Sequence, residues 1–149
     1  LQVRHLLEGE DVFLANYSDQ LSDFPLPDLI EFHREKNMVA SFLSAKPAHS
    51  FHQLKVDKEG VVTQFGAATD SDSWINGGYM VLSQEIFDYV EEGDELVEKP
   101  FERLMAERRL GSLKYTGFWA AMDTFKDKIM FDRMHGRNER PWEVWPNGT

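Results

Sequence analysis

A chain of 149 residues that is 42% hydrophobic and 13% aromatic can fill the core of one domain, which excludes disorder as its description. It has no cysteine, so disulfides and thiolate metal sites are ruled out, and a reducing, cytoplasmic compartment fits. A formal charge of −10 argues against nucleic acid as a partner, yet a local pocket of cations or a metal ion could still take a nucleotide or sugar phosphate.

No segment approaches the roughly 20 apolar residues needed to cross a bilayer, so no membrane partner is expected. The chain opens at Leu1 without an initiator Met. That suggests a start inside a longer polypeptide, although processing would give the same start.

Along the chain, Asp11–Ala15 reads as a short strand that delivers the polar loop Asn16-Tyr17-Ser18-Asp19-Gln20. Residues 27–36 form an amphipathic helix, with Pro27 in its first turn, Asp28 near its start, and Leu26, Leu29, Ile30 and Phe32 to one side. Residues 38–44 are mainly apolar and suit a strand covered on both faces, completing a strand–helix–strand unit. Residues 51–56 and 61–65 flank the turn Asp57-Lys58-Glu59-Gly60 as a hairpin. A strand over 75–82 leads to a short helix carrying Ile86, Phe87 and Tyr89. Residues 98–108 are helical, 110–115 return as a strand, and 124–134 form a last helix with Phe125, Ile129 and Met130 facing inward. The pattern is a mixed α/β sheet with helices against it, in one domain over 1–149. No Gly-rich loop joins a first strand to a first helix, so the usual phosphate cradle is missing.

Three stretches can carry chemistry. Asp19 follows an apolar strand, at the end of a sheet where α/β proteins bind ligands, and a carboxylate there suits Mg²⁺. It could equally cap the following turn. In Trp74-Ile75-Asn76-Gly77-Gly78-Tyr79, two glycines let a ligand or another backbone approach, and Asn76 offers a donor and acceptors to sugar hydroxyls. A bulge leading into a core strand would need the same residues. In Gly117-Phe118-Trp119-Ala120-Ala121-Met122-Asp123-Thr124, Asp123 is either a helix N-cap or a second metal carboxylate paired with Asp19.

Taken in order, Asn-Tyr-Ser-Asp, Ile-Asn-Gly-Gly-Tyr, Glu-x-x-Phe-Glu-Arg-Leu at 98–104, Gly-Phe-Trp-x-x-Met-Asp-Thr and the closing Pro141-Trp142-Glu143 resemble the glucose-1-phosphate cytidylyltransferase branch of the sugar nucleotidyltransferases. The resemblance runs from about Glu10 to Trp145 and corresponds to the carboxy-terminal half of that family. It implies an incomplete Rossmann-like fold with a mostly parallel sheet flanked by helices. It also implies a Mg²⁺ held by Asp19 and Asp123, which would act as the catalytic pair. Ser18, Asn76, Gly77, Gly78 and Trp119 would bind substrate. The implied reaction joins a sugar 1-phosphate to a nucleoside triphosphate, releasing pyrophosphate, with glucose 1-phosphate and CTP as the substrates.

Two departures bear on that expectation. The family's Gly-rich, Thr-Arg-containing loop and downstream Lys, which hold the triphosphate, have no counterpart. The amino-terminal nucleotide-binding portion is therefore expected to be absent, leaving this chain inactive alone unless a homo-oligomer or a partner chain completes it. The family's Phe-x-Glu-Lys stretch is also replaced by Phe65-Gly66-Ala67-Ala68, which removes a Lys that neutralises the sugar phosphate. Lys46, Lys55 and Lys114 are candidates to replace it, and the sequence does not separate them. Lys99 lies in a helix start and does not inherit the role.

Two other readings compete. A metallohydrolase could use His49 and His52, but a strand would point them to opposite faces. A non-catalytic binding or assembly module derived from the same fold would explain the missing loop and would expose apolar surface.

Overall fold

A computed structural model describes residues 1–46, 52–67 and 73–145. In chain order its elements are a 3₁₀ turn at Arg4–Leu7, β1 (Val12–Asn16), β2 (Gln20–Ser22), α1 (Leu26–Glu35), β3 (Ala40–Ala45), β4 (His52–Val56) and β5 (Val62–Ala67). Then come β6 (Ile75–Ser83), a 3₁₀ turn at Gln84–Asp88, α2 (Lys99–Ala106), β7 (Leu110–Tyr115), β8 (Trp119–Ala121) and α3 (Phe125–Gly136). His49 and Ala68 lie outside the described residues.

The main sheet has the order β1–β6–β3–β7, and two ribbons, β2–β8 and β4–β5, stand apart from it. β1, β3 and β7 run in one direction and β6 runs against them, pairing antiparallel with both β1 and β3. The expected strand–helix–strand unit is β1–α1–β3. Its two strands are not neighbours, because β6 inserts between them. The sheet is therefore mixed, and its parallel character lies in three of its four strand directions.

β3 is buried at five of its six positions, as a strand covered on both faces should be. On one face Ala40, Met80 and Leu82 pack with Ile86, Phe87, Phe101 and Leu104, so α2 and the second 3₁₀ turn close that side. On the other, Leu43 and Val81 meet Leu29 of α1 and Phe24. Leu29, Leu43, Val81 and Leu104 are wholly excluded from solvent. Each such side chain contributes about 1.5–3 kcal/mol relative to exposure.

α1 begins on Pro25 with Pro27 in its first turn, as expected, but its inward residues are Leu29 and His33, while Leu26 is exposed. In α3, Phe125 is 74% exposed and Met130 is exposed too, and the buried residue is Phe131. The expected inward face was therefore misplaced. Phe131 docks edge-on against Trp142, whose ring also contacts Phe118, so the carboxy-terminal segment sets which side of α3 turns inward.

Candidate functional site

Because β1, β3 and β7 run together, their carboxyl ends and the head of β6 share one edge of the sheet. This is the edge at which open α/β sheets take ligands. Asn16 ends β1 opposite Tyr79, and the next residue, Tyr17, donates its N–H to the Gly78 carbonyl at 3.1 Å. Ser18 and Asp19 follow in an exposed turn beside the glycine pair.

The chain then forms β2, and β2 pairs antiparallel with β8 in the register Gln20 to Ala121 and Ser22 to Trp119. The pairing extends one residue further, since the Met122 N–H donates to the Asp19 carbonyl at 2.8 Å. Asp19 and Asp123, more than a hundred positions apart in sequence, thus leave the same end of one ribbon on adjoining strands. Both side chains are exposed, and neither carboxylate takes a hydrogen bond or an ion pair among the described residues.

The capping alternative for Asp123 does not hold. Thr124 is the N-cap of α3, accepting from the Asp127 N–H in a capping box that Asp127 closes. Nearby, the Tyr17 hydroxyl is held above its ordinary pKa by partial burial first, then by the Glu95 and Asp19 carboxylates.

The glycine pair forms a bulge. Gly77, Gly78 and Tyr79 separate the β6 partners of Ser44 and Phe42, where β3 has only Leu43. Gly78 sits at φ +74°, a left-handed conformation costly for other residues, and the Asn76 Oδ1 accepts from its N–H at 2.9 Å. A Cβ on Gly77 would lie 3.0 Å from the Leu43 carbonyl oxygen, and one on Gly78 would strike the Gln20 amide. Trp119 donates its indole N–H to the Gly77 carbonyl at 2.8 Å, and the Tyr79 hydroxyl donates to the Gln20 carbonyl at 3.0 Å. These two bonds tie the β2–β8 ribbon to the head of β6. Ser18, Asp19, Asn76, Gly77, Gly78, Trp119 and Asp123 therefore occupy one neighbourhood.

Other residues join them without having been singled out in the sequence. The Gln20 Oε1 is buried with no hydrogen-bond partner, directly over Gly78. Such an orphaned acceptor marks a place where a ligand or water donates. The signal available was its position in Tyr-Ser-Asp-Gln, immediately after the candidate metal carboxylate. Ser44, the register partner of Asn76, shares a hydrogen bond with Ser112 between their hydroxyls at the same end of the sheet. Lys99, by contrast, faces Asp94 at 3.9 Å at the start of α2.

Among the described residues no three His, Asp or Glu side chains cluster as a metal site. A carboxylate pair is nevertheless what Mg²⁺ uses when phosphate and water complete its shell. Asp19 and Asp123 supply hard oxygen donors that no other described residue engages, so their donor chemistry suits that ion.

No protein-family model matches the sequence. The chain is 33% identical over 139 residues to a Bacillus subtilis (strain 168) protein named "Probable glucose-1-phosphate cytidylyltransferase", covering 92% of this chain and 54% of that relative. It is 26% identical over 146 residues to the glucose-1-phosphate cytidylyltransferase of Salmonella typhimurium, covering 97% and 56%. A mannose-1-phosphate guanylyltransferase of Arabidopsis thaliana matches at 27% over 133 residues. A solved Bacillus anthracis structure named "Putative Glucose-1-Phosphate Thymidylyltransferase" superposes with a TM-score of 0.63 at 11% identity, over 99% of this chain and 61% of that one, and shares the fold. The chain spans about half the length of the cytidylyltransferases it matches. Over that span, it belongs to the sugar-1-phosphate nucleotidyltransferases.

Proposed function

We propose that this chain is the sugar-phosphate-binding and metal-binding portion of an enzyme that condenses glucose 1-phosphate with CTP. A phosphate oxygen of the sugar 1-phosphate forms a new bond to the α-phosphorus of the triphosphate, and the bond to pyrophosphate breaks. The electron pair of the broken bond leaves with pyrophosphate. No protein nucleophile is needed, so the chain's contribution is alignment and charge.

The observation that supports this reading is the β2–β8 pairing, which joins the Met122 N–H to the Asp19 carbonyl and so brings the backbone of Asp123 within one residue of the partner of Asp19. Those two residues would hold Mg²⁺, which when bound would offset the negative charge on the phosphate oxygens. Asn76 presents amide N–H and carbonyl groups to the sugar hydroxyls. Gly77 and Gly78 keep side chains out of the path, and the Ser18 hydroxyl flanks Asp19 on the nucleotide side. Trp119 acts on substrate through Gly77, whose carbonyl it fixes. Glucose and cytidine rest on the names of the relatives, and the residues that would read the base lie outside these 149.

The Gly-rich loop that would seat the triphosphate has no counterpart here, so the nucleotide half must come from elsewhere in a parent polypeptide or from a partner chain in the cytoplasm. Titration of the isolated chain with Mg²⁺–CTP is therefore expected to show no sub-micromolar binding. In the complete protein, Asp19→Asn and Asp123→Asn should each lower turnover by about 100-fold or more with an unchanged melting temperature. Near-normal turnover in both variants would sink the assignment.

A second reading, an assembly module without catalysis, draws on Met122 and Phe125, which are 44% and 74% exposed on either side of Asp123. It expects neither turnover nor a response to the Asp variants.

A further inference from the structure

We infer that the groove between the start of α1 and the carboxy-terminal segment binds a small organic cation, a protonated amine carried on an apolar body. The site is independent of the transferase reading.

The groove encloses about 530 Å³, a size that admits a small-molecule ligand. β2 and the first turn of α1 line it together with Trp142 and Trp145. Trp142 is set in place by the Phe118 and Phe131 rings, whose centroids lie 5.7 and 5.6 Å away, whereas Trp145 is 63% exposed. An open indole beside a fixed one is aromatic surface that a ligand can cover.

Asp23 is the sole charged residue of the lining among the described residues. Its Oδ1 accepts from the Tyr115 hydroxyl at 2.5 Å, and the Tyr115 ring is held edge-on by Phe24 at 5.0 Å. Burial first, then that hydrogen bond and the Asp23 charge, push the Tyr115 pKa up to about 12, so the proton stays on the phenol and Asp23 is the acceptor. The carboxylate is thereby fixed through one oxygen, and its Oδ2 has no partner among the described residues.

The neighbouring hydroxyls have no proton to offer. Ser22 donates to the Phe118 carbonyl at 2.8 Å and Tyr79 to the Gln20 carbonyl at 3.0 Å. Pro25 and Pro27, also in the lining, lack an N–H. What remains is a carboxylate oxygen, hydroxyl lone pairs and ring faces, a set that receives a cation and offers little to an anion.

A wholly apolar ligand would strip water from Asp23 without returning a donor. A neutral alcohol would return a hydrogen bond but leave the charge uncompensated. A protonated amine meets both needs, with an N–H to Oδ2 and its charge against an indole face, while its apolar body covers Leu21, Leu26 and Val144. The net charge of −10 favours the arrival of a cation.

The test is an NMR titration of the complete protein at neutral pH, following the resonances of three probes of one shape: phenethylamine, 2-phenylethanol and phenylacetate. Phenethylamine should bind with a Kd below about 1 mM, the alcohol about 10-fold more weakly and the carboxylate not measurably. Asp23→Asn, whose amide oxygen can still accept from Tyr115, should weaken the amine to the level of the alcohol while the alcohol moves less than about twofold. Trp145→Ala should weaken both. Equal affinity for amine and alcohol in the parent would overturn the cation assignment, as would tightest binding of the carboxylate. Retention of the amine preference in Asp23→Asn would remove Asp23 from the site. No binding of any probe would defeat the site outright. The three-probe comparison needs no variant, so a folding defect in Asp23→Asn leaves it decisive. None of these readouts involves turnover, so the transferase reading is judged separately.

Discussion

β3 and β6 are packed at one end and chemically equipped at the other. At the Ala40–Leu82 level both strands are sealed beneath α2 and the second 3₁₀ turn, with Leu104 and Val39 wholly buried. Four residues along β3 and six along β6, at the Ser44–Asn76 level, the same strands carry a hydroxyl and an amide, with Lys114 alongside. The change occurs at the Gly77–Gly78 bulge. Closure of one half supplies the rigidity that lets the other hold an orphaned amide oxygen and a left-handed glycine in fixed places.

The largest effect expected from this contrast is on stability. Leu104→Ala removes a side chain with no solvent exposure from the sealed half and should cost about 2–5 kcal/mol in denaturant titration. Lys114→Gln, on the equipped half, should stay within about 0.5 kcal/mol of the parent. Comparable losses in the two variants would mean that the ligand edge also holds the fold together, and the division would fall.

Gly78→Ala probes the boundary itself. The new Cβ would meet the Gln20 amide, but that amide is the end of a flexible side chain, so most of the cost lies in holding alanine at φ +74°. A loss of about 1–2 kcal/mol is expected. Combining it with Gln20→Ala sharpens the point: relief of the clash alone should recover only the smaller share. Full recovery in the double variant would show that the backbone there is not strained.

The same contrast explains what could be seen in advance. β1, α1, β3, β6 and β7 were legible because each is an apolar run or an amphipathic face ended by Pro, Gly or charge. β2 and β8 were not. Each is three residues long without a period of its own, and each is a strand only because the other lies beside it across the chain. Asp19 and Asp123 could be singled out by resemblance, but that their segments leave the same end of one ribbon follows only from the long-range pairing. The inward face of α3 was misjudged because Phe131, not Phe125, meets Trp142, and helix periodicity holds no information about a partner in another segment. The insertion of β6 between β1 and β3 is hidden for the same reason.

The smallest predicted effect falls within the sealed half, at its one buried histidine. The His33 Nδ1 lies 3.0 Å from the Ser41 hydroxyl and its Nε2 lies 2.9 Å from the Ser83 hydroxyl. Since Ser83 also donates to the Met38 carbonyl at 3.3 Å, a neutral ring with its proton on Nε2 satisfies all three bonds. Burial first, and the Arg34 charge second, hold the ring's pKa below its ordinary value. Folding therefore favours the neutral form. The stability it confers is complete above the unfolded pKa of about 6.5, declines as the pH falls below that, and levels off once the folded ring is protonated as well. Urea midpoints should accordingly drop between pH 7.5 and 5.5, and His33→Gln should flatten part of that slope whatever it does to the midpoint at pH 7.5. An identical slope in the variant would show that carboxylates alone set the acid response, and that the sealed half is indifferent to protonation.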